Sequence, residues 1–178
     1  MVSRHFLPPC AILSILGHHR QYRYRIIIAL KCPLDVELKL MDEIAIQFLK
    51  TYQVWHHRRL ILTALHQSSS PDALKIAAKE LEFITDALST DTKNYHTWSY
   101  RQWLLAFFDK EELWQGEIAY VEDLLETDVR NNSAWHHRYF VVFGRVRVNE
   151  VDQEGVFKRE LSYVDCVAPS KLLLTSSR

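Results

Sequence analysis

The chain has 178 residues, of which 48% are hydrophobic and 25% are charged, with four Gly and five Pro. This composition is typical of a globular protein and excludes a largely disordered chain, while the scarcity of Gly and Pro argues against a turn-rich β protein. Lys and Arg together number 22, as do Asp and Glu. The molecule as a whole therefore has no net charge to attract nucleic acid or an anionic membrane.

The first 19 residues differ in composition from the rest of the chain. One Arg is followed by a mostly apolar run, as in a signal peptide, but there is no small-residue cleavage site and basic residues come next. No stretch of the chain reaches the ~20 apolar residues that a membrane-spanning helix needs. Cys10, Cys32 and Cys166 lie far apart, without a CxxC pair. We therefore expect no membrane span and a reducing compartment, the cytoplasm.

From residue 20 onward, the hydrophobic periodicity predicts helices and no strands. Apolar residues recur at intervals of three and four, and polar residues suited to helix capping separate these runs. The predicted helices, in chain order, are 21–30, 35–49, 52–66, 71–89, 95–108, 112–126, 132–143 and 153–167.

A motif of Trp followed three residues later by Arg occurs near the start of three of these helices. Its members are Trp55 and Arg58, Trp98 and Arg101, and Trp135 and Arg138. The two residues share a helix face, so we expect a structural role for both. The Trp would wedge neighbouring helices together, and the Arg would lie over an aromatic ring or pair with an acid. A residue suited to N-capping stands four positions before each Trp: Thr51, Asn94 and Asn131.

A second motif precedes each Trp at a constant distance. The segments are ELKLMDEIA from Glu37, ELEFITDAL from Glu80 and EIAYVEDLL from Glu117, and a fourth, ELSYVDCVA, begins at Glu160. The first three glutamates each lie 18 residues before a Trp. This constancy predicts a repeated two-helix unit. Stacked units of this kind form an α-solenoid, so we predict an all-α fold of about four antiparallel helix pairs, similar in architecture to tetratricopeptide arrays.

The pattern stops at both ends of the sequence. Arg20 stands where the first Trp would be, and Arg178 stands 18 residues after Glu160. We therefore divide the chain into an atypical N-terminal segment 1–19, helical repeats over 20–169 and an atypical tail 170–178. Because end units of a solenoid normally carry a polar outer face, we expect a partner to cover the apolar end faces here.

Three segments carry a resemblance to a known family: YQVWHHRR (52–59), KNYHTWSYRQW (93–103) and DVRNNSAWHHRYF (128–140). They resemble the α subunit shared by protein farnesyltransferase and type I geranylgeranyltransferase. The α subunit of Rab geranylgeranyltransferase shares the Trp-x-x-Arg repeat and is the alternative within the family, although it fits DVRNNSAW less well.

The resemblance implies a heterodimer whose β subunit holds the catalytic zinc and most of the isoprenoid pocket. In such an enzyme the thiolate of a C-terminal CaaX cysteine attacks C1 of farnesyl or geranylgeranyl diphosphate, and magnesium is implied for the complex. The expected partners are therefore a β subunit, an isoprenoid diphosphate and CaaX-motif proteins. The choice of isoprenoid belongs to the β subunit in this family.

The resemblance also implies roles for individual residues. Lys93 would supply positive charge to the departing diphosphate, a task that suits the mobile point charge of a lysine. The residues implied to lie near the substrates or the subunit interface are Tyr95, Tyr52, His96, Asn131 and Asn132.

We expect no metal or cofactor to be bound by this chain itself. The His pairs 56–57 and 136–137 suggest metal ligation, but adjacent side chains on a helix point about 100° apart and cannot both face one ion. One member of each pair is expected to pack inside and the other to face solvent. A different class of function also fits the same repeats, namely a non-enzymatic adaptor that binds a peptide or protein partner.

Overall fold

The computed structural model describes the backbone of residues 20–67, 73–144 and 153–172, and the side chains of 22–67, 74–144 and 154–167. Within these ranges the regular structure is helical and there is no strand, so the prediction of an all-α fold is confirmed. The helices are α1 (Arg20–Ala29), α2 (Leu34–Gln47), α3 (Tyr52–Gln67), α4 (Ala73–Thr90), α5 (Tyr95–Phe108), α6 (Glu111–Trp114), α7 (Glu117–Thr127), α8 (Asn132–Gly144) and α9 (Gln153–Leu172).

The prediction of one continuous helix over 112–126 is wrong, because two helices occupy this region. The chain leaves α6 through an extended Gln115 and reaches α7 through Gly116, whose φ is +85°. This left-handed backbone is readily adopted by glycine and cannot continue a right-handed helix. As a result Glu117, which begins the repeat motif, lies in the first turn of α7, where a negative charge is favourable.

The other predicted helices agree with the structure to within a few residues. The largest difference is at α9, which extends to Leu172 instead of ending at 167, and thus enters the segment that the sequence pattern assigned to the tail. The segment 1–19 and residues 173–178 lie outside the described residues. None of the described helices is long and apolar enough to cross a membrane.

The chain divides into two compact units between Leu104 and Leu105. In the first unit α2 packs against α3, and α1 and α4 also contact α3. In the second unit α7 packs against α8. Four-residue loops, 48–51 and 128–131, join the packed pairs, and loops this short keep successive helices adjacent. Each pair thus joins a Glu-motif helix to the Trp helix that follows it.

Each unit has its own apolar cluster between the paired helices. In the first unit the buried cluster consists of Met41, Ile44, Ala45 and Val54. In the second it consists of Val121, Leu125 and Ala134. The spacings of three and four along α2 and α7 place these side chains on one helix face. Helix pairing is therefore stabilised by the same apolar periodicity that predicted the helices.

Candidate functional site

The Trp of each repeat fixes the loop that precedes its own helix. In all three repeats the indole Nε1 donates a hydrogen bond to the carbonyl oxygen six residues earlier. The pairs are Trp55 with Leu49 at 2.9 Å, Trp98 with Thr92 at 2.8 Å and Trp135 with Val129 at 2.7 Å. Because the rings pack among the helices, each loop is tied to the core by a side chain that cannot easily move.

Asparagine side chains cap two of these helices. Asn94 Oδ1 accepts hydrogen bonds from the backbone N–H groups two and three residues on, at 3.0 and 3.2 Å. Asn131 Oδ1 does the same in its own repeat at the same distances. Both residues are buried, and the caps predicted for them are confirmed. The amide oxygen of Asn131, a residue that the resemblance puts near the substrate, is thus engaged in its own helix.

An aspartate in each of these loops supports the residue two positions on. Asp91 Oδ1 accepts from the backbone N–H of Lys93 at 3.4 Å, and Asp128 Oδ1 accepts from that of Arg130 at 3.0 Å. Such turns are a usual role of aspartate in loops. Together with the Trp and Asn contacts, they set the backbone from which Lys93 projects at the exposed start of α5.

The structure places four of the six residues predicted to meet a substrate in the first unit. Tyr52 and Tyr95 are the first residues of α3 and α5 and are 59% and 76% exposed. Lys93 is exposed in the loop before α5. His96 is half-buried, and its ring lies 5.6 Å from that of Tyr95 in an edge-on contact. Lys93, Tyr95 and His96 are thus adjacent at one helix start.

The remaining two predicted residues belong to the second unit. Asn131 is the buried cap described above, and Asn132 is the exposed first residue of α8. Asn132 occupies the position three residues before its Trp, as Tyr52 and Tyr95 do in their repeats. The three helix starts therefore present different side chains from an equivalent position.

Sequence reasoning overlooked Lys50. It stands five residues before Trp55, the same distance that separates Lys93 from Trp98. The Lys50 ammonium is exposed, and its Nζ lies 3.8 Å from Asp91 Oδ2 in the loop before α5. This contact brings the start of α3 close to the loop that carries Lys93. We call Lys50, Tyr52, Lys93 and Tyr95 the helix-start edge; the repeat register itself was the signal that could have identified Lys50.

The motif glutamates are buried and form what we call the glutamate network, which comprises Glu37, Glu80, Glu117, Glu160 and the side chains that donate to them. Each of the first three accepts a hydrogen bond from a residue 20 positions later, two residues after the Trp. These contacts are His57 with Glu37 at 2.9 Å, Tyr100 with Glu80 at 2.7 Å and His137 with Glu117 at 2.8 Å. The constant Glu-to-Trp spacing is thus the spacing of a buried hydrogen bond within one helix pair.

Arginines donate to the same glutamates from the preceding repeat. Arg58 donates through Nε and Nη2 to both oxygens of Glu80, at 2.7 Å each. Arg138 donates in the same way to Glu160 at 2.6 and 3.0 Å. Arg23 of α1 donates to both oxygens of Glu37 at 2.8 and 2.6 Å. Paired hydrogen bonds of this kind fix both distance and orientation, so the network ties successive repeats together.

The arginines of the Trp-x-x-Arg motif also use their remaining surfaces. Arg58 Nη1 lies 2.7 Å from Asp42, and its guanidinium lies 4.1 Å from the centre of the Phe83 ring. Arg138 repeats this arrangement with Glu122 and Tyr163. Arg101 Nη1 donates to Thr85 at 2.9 Å, from the position equivalent to Asp42 and Glu122. Both contacts suggested by the sequence, with an acid and with a ring, occur together.

The electrostatics of the network keep its groups charged. Burial alone raises the pKa of Glu37, but hydrogen bonds from His57 and Arg23 outweigh burial and lower it to about 2. Burial lowers the pKa of Arg58, and the charge of Glu80 raises it further than burial lowers it. For Tyr100, burial and the Glu80 charge both raise the pKa well above its ordinary value. These groups hold fixed protonation states near neutral pH and so serve as structural contacts.

The His pairs divide as helical geometry predicts. His57 and His137 are buried against glutamates, whereas His56 and His136 are exposed. Among the described side chains, no three His, Cys, Asp or Glu residues lie close enough together to hold a metal ion. The described donor set therefore does not fit a zinc site. A cavity of about 600 Å³ between α1 and α2 contains no residue of the helix-start edge.

Comparison with known proteins gives this arrangement a family. The model of the protein prenyltransferase alpha subunit repeat matches residues 34–65, 77–108 and 114–144. The chain belongs to this family. Each match covers a Glu-motif helix and the Trp helix after it, so the two-helix repeat and the resemblance are confirmed. The family match contains three repeats of the predicted four, and the segment from Glu160 lies beyond it.

Individual relatives come from two branches of the prenyltransferases. The bovine geranylgeranyl transferase type-2 subunit alpha is 37% identical over 100 residues, which are 53% of this chain and 18% of that protein. The Schizosaccharomyces pombe protein farnesyltransferase/geranylgeranyltransferase type-1 subunit alpha is 44% identical over 54 residues, 29% of this chain and 18% of that protein.

A solved structure matches over a longer stretch. A chain of the Candida albicans protein geranylgeranyltransferase-I, complexed with GGPP, has a TM-score of 0.72 and 32% identity over 87% of this chain and 50% of that chain. The prenyltransferase repeats described here thus span half of that chain, and the matches to the two curated relatives each span less than a fifth of their length.

Proposed function

We propose that this chain acts as the α subunit of a heterodimeric CaaX protein prenyltransferase, of the farnesyltransferase or type I geranylgeranyltransferase kind. The similarity to the Candida geranylgeranyltransferase-I chain over 87% of the sequence supports this branch. The observation that carries the proposal is the helix-start edge. Exposed Lys93 and Tyr95 stand on a backbone that Trp98, Asn94 and Asp91 hold in place, as a charged group serving a site on another subunit would require.

The chemistry of the proposed reaction explains why such an edge is needed. The thiolate of the CaaX cysteine attacks C1 of the isoprenoid diphosphate, a C–S bond forms, and the C1–O bond breaks with its electron pair leaving on the diphosphate. Negative charge grows on the leaving oxygens. A positioned ammonium stabilises that charge more in the transition state than in the ground state, and one such donor typically changes the rate by a factor of ~10²–10³.

Within this proposal the chain's own residues divide the work. Lys93 donates to the departing diphosphate, and Lys50 is a second ammonium at the equivalent position. The Tyr95 hydroxyl donates beside Lys93, and Tyr52, His96 and Asn132 face the substrates or the subunit interface. Asn131 contributes by capping the helix that presents Asn132.

The β subunit would bind zinc, whose role is to hold the substrate cysteine as thiolate, and magnesium would accompany the diphosphate. We place the complex in the cytoplasm, where the exposed thiols of Cys32 and Cys166 remain reduced.

The test is co-expression of the full chain with farnesyltransferase and type I geranylgeranyltransferase β subunits, followed by assays of prenyl transfer to a CaaX peptide. Lys93→Ala and Lys50→Ala are compared with Lys75→Ala, which removes an exposed lysine of α4. We expect kcat to fall by a factor of ~10²–10³ for Lys93→Ala and to be unchanged for Lys75→Ala. Failure to form any complex would contradict the proposed function. A complex in which only Lys50→Ala lowers kcat would move the role of Lys93 to Lys50.

A second candidate is the α subunit of a Rab geranylgeranyltransferase, which the 37% identity to the bovine type-2 subunit alpha favours. The two candidates make different demands on the assay. The CaaX enzymes modify a short C-terminal peptide directly, whereas the Rab enzyme would require an escort protein. Transfer to a Rab protein only in the presence of such an escort, together with no transfer to a CaaX peptide, would establish the second candidate in place of the first.

A further inference from the structure

A face of the first unit combines exposed aromatic rings with an arginine that has no acidic partner. Tyr52, His56 and Arg59 follow one another at intervals of four and three along α3, and therefore share one side of that helix. Tyr52 and His56 are exposed, and Arg59 is half-buried. On α5 the half-buried ring of Trp103 lies beside Arg59. Aromatic and arginine side chains are enriched in protein interfaces.

The surroundings of Arg59 are unusual for a half-buried cation. Its Nη2 donates to the Ser99 carbonyl oxygen at 3.1 Å and lies 3.4 Å from Ser99 Oγ. Its guanidinium carbon lies 5.3 Å from the centre of the Trp103 ring and 5.9 Å from that of Tyr100. Its Nε is buried without a hydrogen-bond partner, and no ion pair joins Arg59 to an acid of the described residues. Rings and one serine therefore surround a charge that nothing neutralises.

The adjacent Arg58 shows how differently this chain treats an arginine that serves its own fold. Arg58 pairs with Glu80 and Asp42 and is almost fully buried. Arg59 sits one residue further, turned about 100° around α3, and burial without a carboxylate lowers its pKa. Partial removal of a cation from water without a counter-charge is unfavourable. A partner that supplies the counter-charge would recover that free energy on binding.

We propose that Arg59 forms an intersubunit ion pair with a carboxylate side chain of the prenyltransferase β subunit, and that the face made by Tyr52, His56, Arg59 and Trp103 is part of the α–β interface. The inference rests on the proposed function, since it needs that partner. Charge complementarity determines the occupant. The planar guanidinium fork matches a carboxylate, and the flanking rings would shield such a pair from water and strengthen it.

The experiment measures the dissociation constant of the full-length complex for the parent chain and for Arg59→Gln, Arg59→Lys and Arg159→Gln. The last variant removes an exposed arginine of α9 and is the control. We expect Arg59→Gln to weaken the complex at least tenfold, Arg59→Lys to weaken it less because the charge remains, and Arg159→Gln to leave it unchanged. The effect of Arg59→Gln should shrink at high salt by less than that of an exposed pair, because a buried pair is poorly screened.

Two further measurements separate this role from others. Urea denaturation of the unbound chain should show no loss of stability for Arg59→Gln, because no internal ion pair is removed; a large loss would mean that Arg59 is structural and would overturn the proposal. A rise in KM for the isoprenoid diphosphate with an unchanged subunit dissociation constant would assign Arg59 to the substrate and also overturn it.

Charge reversal supplies the strictest test. Arg59→Glu should prevent assembly, and a single Asp→Lys or Glu→Lys change in the β subunit should restore it; absence of rescue by every acidic residue of the β interface would contradict the ion pair. If the parent chain itself forms no complex with a β subunit, the proposed function fails together with this inference. A parent complex that Arg59→Gln does not weaken sinks the inference alone.

Discussion

The glutamate network and the helix-start edge are built from similar residue types, but they lie in opposite environments. In the network, Glu80 is buried and accepts from Arg58 and Tyr100. At the edge, Lys93 and Tyr95 are exposed, although they lie only a few residues from Tyr100 on the same stretch of chain. Charge inside the fold is matched to charge, whereas charge at the edge faces outward. The difference indicates which groups serve folding and which can serve a substrate or a partner.

The strongest way to break the network is Glu80→Gln. The substitution removes the charge that both Arg58 and Tyr100 contact, and it leaves Arg58 buried with only the half-exposed Asp42 as a counter-charge. We expect the free energy of unfolding to fall by about 3–5 kcal/mol, as for other buried pairs that lose one partner. Urea denaturation followed by circular dichroism measures it. Glu82→Gln, at an exposed position of α4, should change stability by less than about 0.5 kcal/mol; equal effects would refute the distinction.

Acid should weaken the network through Glu37. Its pKa is about 2 in the folded chain against an ordinary value of 4.5. Because the folded pKa is the lower one, the stabilisation is fully present above pH 4.5 and is lost as the pH falls toward 2, with a total on the order of 3 kcal/mol. The measurement is the free energy of unfolding across this pH range. Glu37→Gln should remove this part of the dependence, and the exposed Glu43→Gln on the same helix should keep it. A parent and a Glu37→Gln variant with parallel pH profiles would contradict the assignment.

A matched pair of tyrosines on α5 sharpens the comparison. Tyr100→Phe removes a hydroxyl that donates to a buried carboxylate, so we expect a loss of about 2 kcal/mol in unfolding free energy. Tyr95→Phe removes an exposed hydroxyl at the edge and should cost less than about 0.5 kcal/mol. In the prenyl-transfer assay the ranking should reverse at sub-denaturing temperature, with Tyr95→Phe the slower enzyme. Similar stability losses for the two variants would show that the edge is also part of the fold.

Much of the fold followed from local pattern. The helix boundaries, the all-α class and the two-helix repeat could be predicted because apolar spacing of three and four residues is a property of the helix itself. The caps at Asn94 and Asn131 followed from residue type and position alone. The break at Gly116 was missed, because an isolated glycine within a helical pattern is often tolerated and its left-handed φ is not visible in the sequence.

The candidate site was less accessible to such reasoning. Lys93, Tyr95 and Tyr52 were identified through family resemblance, and their exposure on one edge is a finding of the structure. Lys50 was missed although it occupies the same register, because a lone lysine in a loop carries no local signal. Asn131 was predicted to meet a substrate, while the structure shows its amide oxygen engaged in a cap.

The sequence by itself determined the repeating helix pairs and the register that relates Glu, Trp and Arg, because both depend on spacing along one chain. Only the tertiary structure decided which acid each arginine reaches. Arg58 contacts Glu80 across 22 residues, while the next residue, Arg59, contacts no described acid. The physical reason is that a rotation of about 100° around one helix turns two neighbouring guanidinium groups toward different surroundings, and those surroundings exist only once the helices have packed.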